Sequence, residues 1–196
     1  YSDWDCTLEP GGAPSGPGGG YALRLGLRQI KGVGQEDAEW LVAARGNGYR
    51  DPISIWRRAS VPAPALEKLA QADAFSSMGL SRRDALWAIK SLRRTMSPLP
   101  LFAAAGAAEL GEESDVPLPR MSVGEEVVED YASLRMTLRA HPLRLVRHRL
   151  GTAIPSDRLP DVPDASLVTV AGLVLVRQRP GTAKGVIFVT LEDDTG

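Results

Sequence analysis

Two stretches that cannot pack a hydrophobic core divide whatever fold this 196-residue chain adopts. From Glu9 to Gly20 the sequence is almost entirely Gly, Pro, Ala and Ser, a composition typical of a flexible loop. Ser97 to Arg120 contains four prolines, an alanine-rich patch and an acidic pair, which predicts a poorly ordered connector. We therefore expect a flexible segment at 1–20, a helical domain at 21–96, a connector with short helices at 97–164, and a separate element at 165–196.

The pattern after the first stretch is helical. Leu23, Leu27 and Ile30 recur at helical spacing, Lys31-Gly32-Val33-Gly34 interrupts them, and Ala38, Leu41 and Val42 resume the apolar stripe. Arg45-Gly46 then supplies a basic last turn and a glycine stop. The spacing predicts a helix, a tight turn and a second helix.

A second unit repeats this arrangement. Leu66, Leu69 and Ala70 lie on one predicted helix, Ser76-Ser77-Met78-Gly79 breaks it, and Ala85, Ile89 and Leu92 lie on the next. Ser81 and Asp84 have the spacing of a capping box at the start of that helix. The two units together predict an internal repeat of helix pairs.

The remaining chain changes character twice. Val123 to Leu134 is predicted as a short acidic helix, with Glu125, Glu126, Glu129 and Asp130 on its solvated side, and His141-Pro142 opens a basic helix running to Leu150. Beyond Asp164, the β-branched runs Leu167 to Val176 and Val186 to Leu191 flank a Pro180-Gly181 break. Such runs predict a hairpin of an antiparallel sheet.

Composition excludes some classes of protein. The longest apolar run, Val170 to Val176, is far shorter than the roughly 20 residues that span a bilayer, so we expect no membrane partner. Cys6 is the only cysteine, which excludes an internal disulfide and suits a reducing cytoplasm. Because the chain starts at Tyr1 and stops after an apparent turn at Glu192 to Gly196, we expect an excised piece of a longer protein.

The net charge of -1 conceals blocks of opposite sign. Residues 24–94 carry 13 basic and 7 acidic side chains, residues 95–134 carry 1 and 8, and residues 135–151 carry 5 and 0. A basic block is often only a solvated face, but it is also the electrostatic footprint of a phosphate-binding surface.

The turn between the first two predicted helices is suited to phosphate. Glycines permit a positive φ there, and the free backbone N–H groups that begin the next helix face outward, aided by the helix dipole. This arrangement resembles the helix-hairpin-helix motif of DNA binders that do not read sequence. The candidate DNA-binding residues are Arg28, Lys31, Gly32, Val33, Gly34 and Gln35.

Two further sets of residues have the composition of a nucleic-acid surface. In the second unit they are Arg82 and Arg83 with Trp87 and Lys90, although Trp87 could equally belong to the core. In the C-terminal hairpin, Arg177, Arg179 and Lys184 precede Phe188, as in the strands of single-strand-binding OB-folds. Burial in a core is the favoured alternative for Phe188.

We find no catalytic constellation. Asp3-Trp4-Asp5 lies at a terminus, His141 and His148 lack a third ligand nearby in sequence, and no Gly-x-Ser-x-Gly occurs. An independent hydrolase is therefore disfavoured, and we expect no cofactor.

Long blocks of sequence resemble one family. They are residues 22–32, Ala72-Asp73-Ala74-Phe75, residues 79–87, and residues 170–185 followed by Phe188 and Thr190-Leu191-Glu192-Asp193. These blocks are similar to the C-terminal part of the error-prone bacterial C-family DNA polymerases, paralogues of the replicative DNA polymerase III alpha subunit. The resemblance covers nearly the whole chain.

The resemblance implies a fold class and a function. The fold would be multidomain α+β: an all-α tandem helix-hairpin-helix domain, a linker with short helices, and an all-β OB-fold truncated after about two strands. The whole protein would be a DNA-directed DNA polymerase, a nucleotidyltransferase that uses Mg²⁺ in damage-induced translesion synthesis. Its catalytic aspartates would lie upstream, so this fragment would hold duplex DNA and single-stranded template without being catalytic.

A second hypothesis is a protein-interaction module that docks accessory proteins of translesion synthesis or the sliding clamp. Leu99, Leu101 and Phe102 resemble a clamp-binding peptide, although Pro98 replaces the usual leading glutamine. The acidic 95–134 block could serve as the docking face. Salt dependence separates the two hypotheses, because phosphate binding weakens steeply with salt.

Overall fold

The computed structural model of the chain describes residues 1–11, 20–95, 118–182 and 184–196. In these residues α-helices combine with two separate two-stranded antiparallel sheets, which is an α+β fold. The chain divides into two compact units, Tyr1–Arg120 with Glu129–Met136, and Met121–Val128 with Thr137–Gly196. In chain order the elements are β1 (Thr7–Pro10), β2 (Tyr21–Arg24), α1 (Gln35–Ala43), α2 (Pro52–Ala59), α3 (Ala63–Gln71), α4 (Arg82–Thr95), α5 (Val123–Leu134), α6 (Pro142–Val146), β3 (Leu173–Gln178) and β4 (Phe188–Glu192).

One face of each helix from α1 to α4 forms the core of the first unit. The structure confirms the predicted apolar stripes of α1, α3 and α4, and the packing of α3 against α4 joins two of them. Because burying these side chains removes apolar surface from water, this core is the main source of stability in the unit. The buried residues of these helices include Ala38, Leu41, Ile55, Ala59, Leu66, Leu69, Ala70, Ala85, Ile89 and Leu92.

The helix predicted through Leu23, Leu27 and Ile30 is wrong. Strand β2 replaces its first half, and only a 3₁₀ turn at Leu27–Gln29 is helical. The amide of Leu27 donates to the carbonyl of Asp3 at 2.8 Å, and the following amide donates to the carbonyl of Trp4 at 3.1 Å. The N-terminal segment therefore supplies hydrogen-bond partners that a helix would have found within itself.

Strand β1 corrects the prediction that residues 1–20 are flexible. It pairs antiparallel with β2, with Thr7 opposite Arg24. The Arg24 guanidinium donates to the Glu9 carboxylate at 2.5 and 2.6 Å, and this hydrogen bonding lowers the pKa of Glu9. Residues 12–19 of the same segment lie outside the described residues.

Helix α2 was missed by the apolar pattern, although its start carries a local signal. The Ser54 amide donates to the Asp51 carboxylate at 2.6 Å, and the Asp51 amide donates to the Ser54 hydroxyl at 3.3 Å. Pro52 occupies the first helical position. An Asp-Pro-x-Ser sequence is thus a capping box with a proline suited to the first turn.

Arg58 of α2 caps the preceding helix. Its guanidinium donates to the carbonyls of Ala44, Arg45 and Gly48 at 2.6, 2.9 and 2.7 Å, and lies 4.9 Å from the centre of the Tyr49 ring. A cation that satisfies carbonyls just beyond a helix C-terminus also interacts favourably with the helix dipole.

In the chain outside the helical core, helix α5 and a β-hairpin form as predicted, whereas two elements are shorter than predicted. Helix α5 has the predicted bounds, and the predicted β-hairpin forms from β3 and β4, with an irregularity between Val174 and Val176. Helix α6 ends at Val146, where a 3₁₀ turn at Arg147–Arg149 replaces the rest of the predicted basic helix. The first β run also begins later than predicted, at Leu173 rather than Leu167.

A network of hydrogen bonds centred on Asp193 connects distant parts of the second unit. Its carboxylate accepts the amide and hydroxyl of Thr195 at 2.8 and 2.7 Å and those of Ser156 at 2.9 and 2.8 Å. Arg147 donates to it at 3.1 Å and also to Asp194. These donors, led by the Thr195 hydroxyl, hold the pKa of Asp193 far below its ordinary value.

The four-part division by residue range stays a prediction, because most of the expected connector, residues 96–117, lies outside the described residues. Within the described part of the chain, no helix is long and apolar enough to cross a membrane.

We expect Arg58→Ala to lower the free energy of unfolding by about 1 kcal/mol, because three carbonyls lose a charged donor at an exposed site. Denaturant unfolding followed by circular dichroism measures this loss. Arg57→Ala is the matched control, since it removes an exposed cation from the same helix. Equal effects of the two substitutions would contradict the capping role.

The Asp193 network predicts acid sensitivity. The folded-state pKa of Asp193 lies below its ordinary value, so its stabilisation is present near neutral pH and is lost as pH falls below about 4. Asp193→Asn should therefore speed exchange of the Ser156 and Thr195 amides near neutral pH, and the difference from wild type should shrink on acidification. Asp157→Asn, an exposed neighbour, should leave this exchange unchanged.

Candidate nucleic-acid interface

In the first chain reversal, Ile30 to Gly34, one of the two glycines has the positive φ that the sequence predicted. Gly32 adopts a φ of +87°, and the Val33 amide donates to the Ile30 carbonyl at 3.3 Å. A glycine at the third position of such a turn is what a type II turn requires. Gly34 has an ordinary φ of -79° and serves as the N-cap of α1.

At the start of helix α1, no side chain caps the backbone N–H groups. Gly34 has no side chain to accept them, and first-turn amides have no partner within a helix. Gln35 is the first helical residue, and its side chain donates to Glu39 at 2.8 Å. The carboxylates of Glu36 and Asp37 lie in the same turn, so they reduce the attraction of this helix end for an anion.

Three cations surround this turn, one of which the sequence did not indicate. The Lys31 side chain is exposed. Arg28 forms an exposed ion pair with Asp5 at 2.6 Å. Lys68 of α3 was missed: a methyl group added at Gly32 would lie 3.5 Å from its Cε, and its Nζ donates to Gln71 at 3.2 Å. Its position beside the turn arises from the packing of a distant helix and has no local signal.

The second chain reversal leads from α3 into α4. Gly79 adopts a φ of +76° after a 3₁₀ turn at Ser76–Met78. The predicted capping box is confirmed: the Ser81 amide donates to the Asp84 carboxylate at 3.3 Å, and the Asp84 amide donates to the Ser81 hydroxyl at 3.2 Å. This helix end is therefore partly satisfied by its own side chains.

The candidate residues on α4 are divided between surface and core. Trp87 is 49% exposed and Lys90 is exposed, so the alternative that Trp87 belongs to the core is wrong. Arg83 is half-buried and donates to the Pro119 carbonyl at 2.8 Å.

Arg82 does not belong to this surface. It is 2% exposed and pairs with Asp130 at 2.5 Å, so it cannot present its charge to a phosphate. Asp130 in turn was expected on the solvated side of α5 and is instead buried.

The two reversals correspond position by position. The same number of residues separates the members of four pairs of identical residues: Gly32 and Gly79, Asp37 and Asp84, Ala38 and Ala85, and Trp40 and Trp87. Both glycines have positive φ, both alanines are 1% exposed, and Trp40 is 60% exposed where Trp87 is 49% exposed. Charges differ at several of the corresponding positions, among them Lys31 against Met78, Glu36 against Arg83 and Ala43 against Lys90.

In the second unit, the candidate residues Arg177, Arg179 and Lys184 are exposed on and after β3. Phe188, for which a core position was favoured, is 51% exposed at the start of β4. Both strands also expose apolar side chains, including Val174 and Val189.

Two other predictions concern a clamp-binding peptide and a metal ion. Leu99, Leu101 and Phe102 lie outside the described residues. In the described ranges, no group of three or more His, Cys, Asp and Glu side chains is arranged to hold a metal ion.

A family model and several relatives match this chain. Residues 1–85 match the family model described as a helix-hairpin-helix motif. The chain is also 55% identical over 195 residues to the error-prone DNA polymerase of Ruegeria pomeroyi, covering all of this chain and 17% of that protein.

Other relatives agree. The error-prone DNA polymerase of Sinorhizobium medicae is 50% identical over 179 residues, covering 89% of this chain and 16% of that protein. The error-prone DNA polymerase 2 of Rhizobium meliloti is 47% identical over 204 residues, covering all of this chain and 18% of that protein. The resemblance stated from the motifs is confirmed: the chain is homologous to a stretch of error-prone DNA polymerases and spans less than a fifth of their length.

The Arg28–Asp5 ion pair predicts a gain of affinity. Asp5→Asn should tighten binding to a labelled DNA duplex by a factor between about 1.4 and about 5, because an exposed pair worth about 0.2–1 kcal/mol no longer competes with phosphate. Fluorescence anisotropy measures the change.

Asp3→Asn is the control, since it removes the same charge beside Arg45, whose side chain is only 17% exposed. If both variants tighten binding equally, the gain reflects net charge and the local prediction fails.

Proposed function

We propose that this chain is a DNA-binding, C-terminal region of an error-prone DNA polymerase that acts in damage-induced translesion synthesis. In this proposal the whole protein is a cytoplasmic DNA-directed DNA polymerase, and this region holds DNA without catalysing nucleotide transfer. Homology along the chain to proteins named error-prone DNA polymerase supports the assignment.

The observation that carries the proposal is the pair of corresponding reversals. Each has a glycine in the left-handed region, a helix that begins within three residues, and an alanine of that helix buried in the core. This correspondence supports two helix-hairpin-helix units in tandem, although the helix before the first hairpin is reduced to a single 3₁₀ turn.

Phosphate is the chemical group that such turns would bind. Backbone N–H groups at a helix start donate to phosphate oxygens, and neighbouring cations add attraction. At the first hairpin the cations are Lys31 and Lys68, with Arg28 available once its ion pair opens. At the second they are Arg83 and Lys90, beside Trp87. Because all DNA sequences share the same phosphates, these contacts position the duplex without reading bases.

For the second unit we propose that β3 and β4 are strands of an OB-fold near the single-stranded template. Cations on and after β3, together with Phe188, have the composition of a surface that follows a backbone and stacks bases. The apolar side chains exposed on both strands fit a sheet with a face that is covered, as in the interior of a barrel.

The proposal is tested by removing two of the three cations near the first hairpin. The double variant Arg28→Ala with Lys31→Ala should weaken binding of this chain to duplexes of unrelated sequence to the same degree. It should also reduce the salt slope by about 1–2, roughly one for each phosphate that is no longer neutralised. Anisotropy titrations at several salt concentrations measure both quantities.

Arg50→Ala with Arg57→Ala is the matched control, because it removes two exposed cations of the same unit. A loss confined to one DNA sequence would contradict phosphate recognition. Binding of wild type that is insensitive to salt would favour the protein-interaction hypothesis instead.

A further inference from the structure

The last turns of α5 contact the chain at both hairpins. The Lys31 amide, within the first hairpin, donates to the Ser133 carbonyl at 2.8 Å. Arg82, the first helical residue after the second hairpin, donates through Nη2 to the Asp130 carboxylate at 2.5 Å. One short helical segment, Asp130–Leu134, therefore reaches both of the corresponding reversals.

These contacts lie inside the unit. The side chains of Arg82 and Asp130 are 1% and 7% exposed, and Ser133 is also buried. Leu134 packs against the helical core. A buried ion pair tolerates the loss of one partner poorly, because the other charge is then left out of water without compensation. The segment is thus held firmly against the turns that it touches.

We propose that Asp130–Leu134 of α5 sets the positions of both hairpins, and that Asp130 is a positioning residue for phosphate binding. This inference rests on the proposed function. Asp130 is buried and negative, so it acts through Arg82 and the start of α4. Backbone donors must be held at hydrogen-bonding distance from a ligand, and groups that fix such donors affect binding without touching the ligand.

The sign of a charge change separates this role from simple electrostatics. Asp130→Asn makes the chain more positive by one charge, which alone would strengthen attraction to DNA. A positioning role predicts the opposite. Glu129→Gln is the matched control, because it makes the same charge change at the preceding residue, whose side chain is only half-buried.

The experiment uses the whole 196-residue chain and a fluorescein-labelled DNA duplex of arbitrary sequence. We expect Asp130→Asn to weaken binding about tenfold, while Glu129→Gln binds as wild type does or more tightly. Amide exchange without DNA gives an independent readout. In Asp130→Asn the Lys31 amide should exchange faster than in Glu129→Gln, while the Ile89 amide in the core should not. Equal affinity of the two variants, or equal exchange at Lys31, would overturn the proposal.

A second variant covers the case in which Asp130→Asn does not fold. Arg82→Met with Asp130→Leu replaces the pair by apolar side chains, which proteins often tolerate without loss of stability. We expect this variant to fold, to bind duplex weakly and to exchange faster at Lys31; wild-type behaviour in either measurement would overturn the proposal. If wild type itself does not bind duplex, the proposed function fails, whereas the exchange experiment still decides the positioning role.

Discussion

The left-handed backbone at Gly32 and Gly79 is the constraint on which the first unit depends. A residue with a Cβ is strained at a positive φ of this size, so each glycine permits a reversal that other residues resist. The next helix begins within three residues and must turn its small side chain, Ala38 or Ala85, into the core. Because the helix is anchored so close to its start, its first backbone donors have a defined position.

The two hairpins share this backbone and differ in charge. The first helical turn of α1 carries the carboxylates of Glu36 and Asp37, and the cations around it come from elsewhere in the unit, from Lys31, Lys68 and Arg28. Helix α4 carries its own cations, Arg83 and Lys90, and an exposed Trp87. The repeat therefore supplies the same geometry twice with different electrostatics, and the proposed phosphate contacts rely on cations from different elements at the two places.

Local signals allowed much of the helical structure to be predicted. The capping box of Ser81 and Asp84 marked the start of α4, and the bounds of α5 agree with its pattern of apolar and acidic residues. The same patterns identified the buried faces of α1, α3 and α4, because helical periodicity reflects one-sided burial. The capping box of Asp51 and Ser54 would likewise have predicted the start of α2.

Local sequence patterns did not predict the structure where contacts between residues distant in sequence determine it. The stripe through Leu23 and Leu27 has helical spacing, yet strand β1 and the N-terminal carbonyls supply other partners to that backbone. Arg82 and Asp130 resemble surface charges in sequence, because nothing local shows that the two side chains form a buried ion pair.

We propose that backbone donors at two hairpins hold DNA phosphates, and mapping backbone amides by NMR during a titration with duplex DNA tests this directly. We predict that the largest shifts fall on residues 32–36 and 79–83, for any duplex sequence, and that they diminish as salt is raised. Shifts confined to other parts of the chain, or present at only one duplex sequence, would contradict the account.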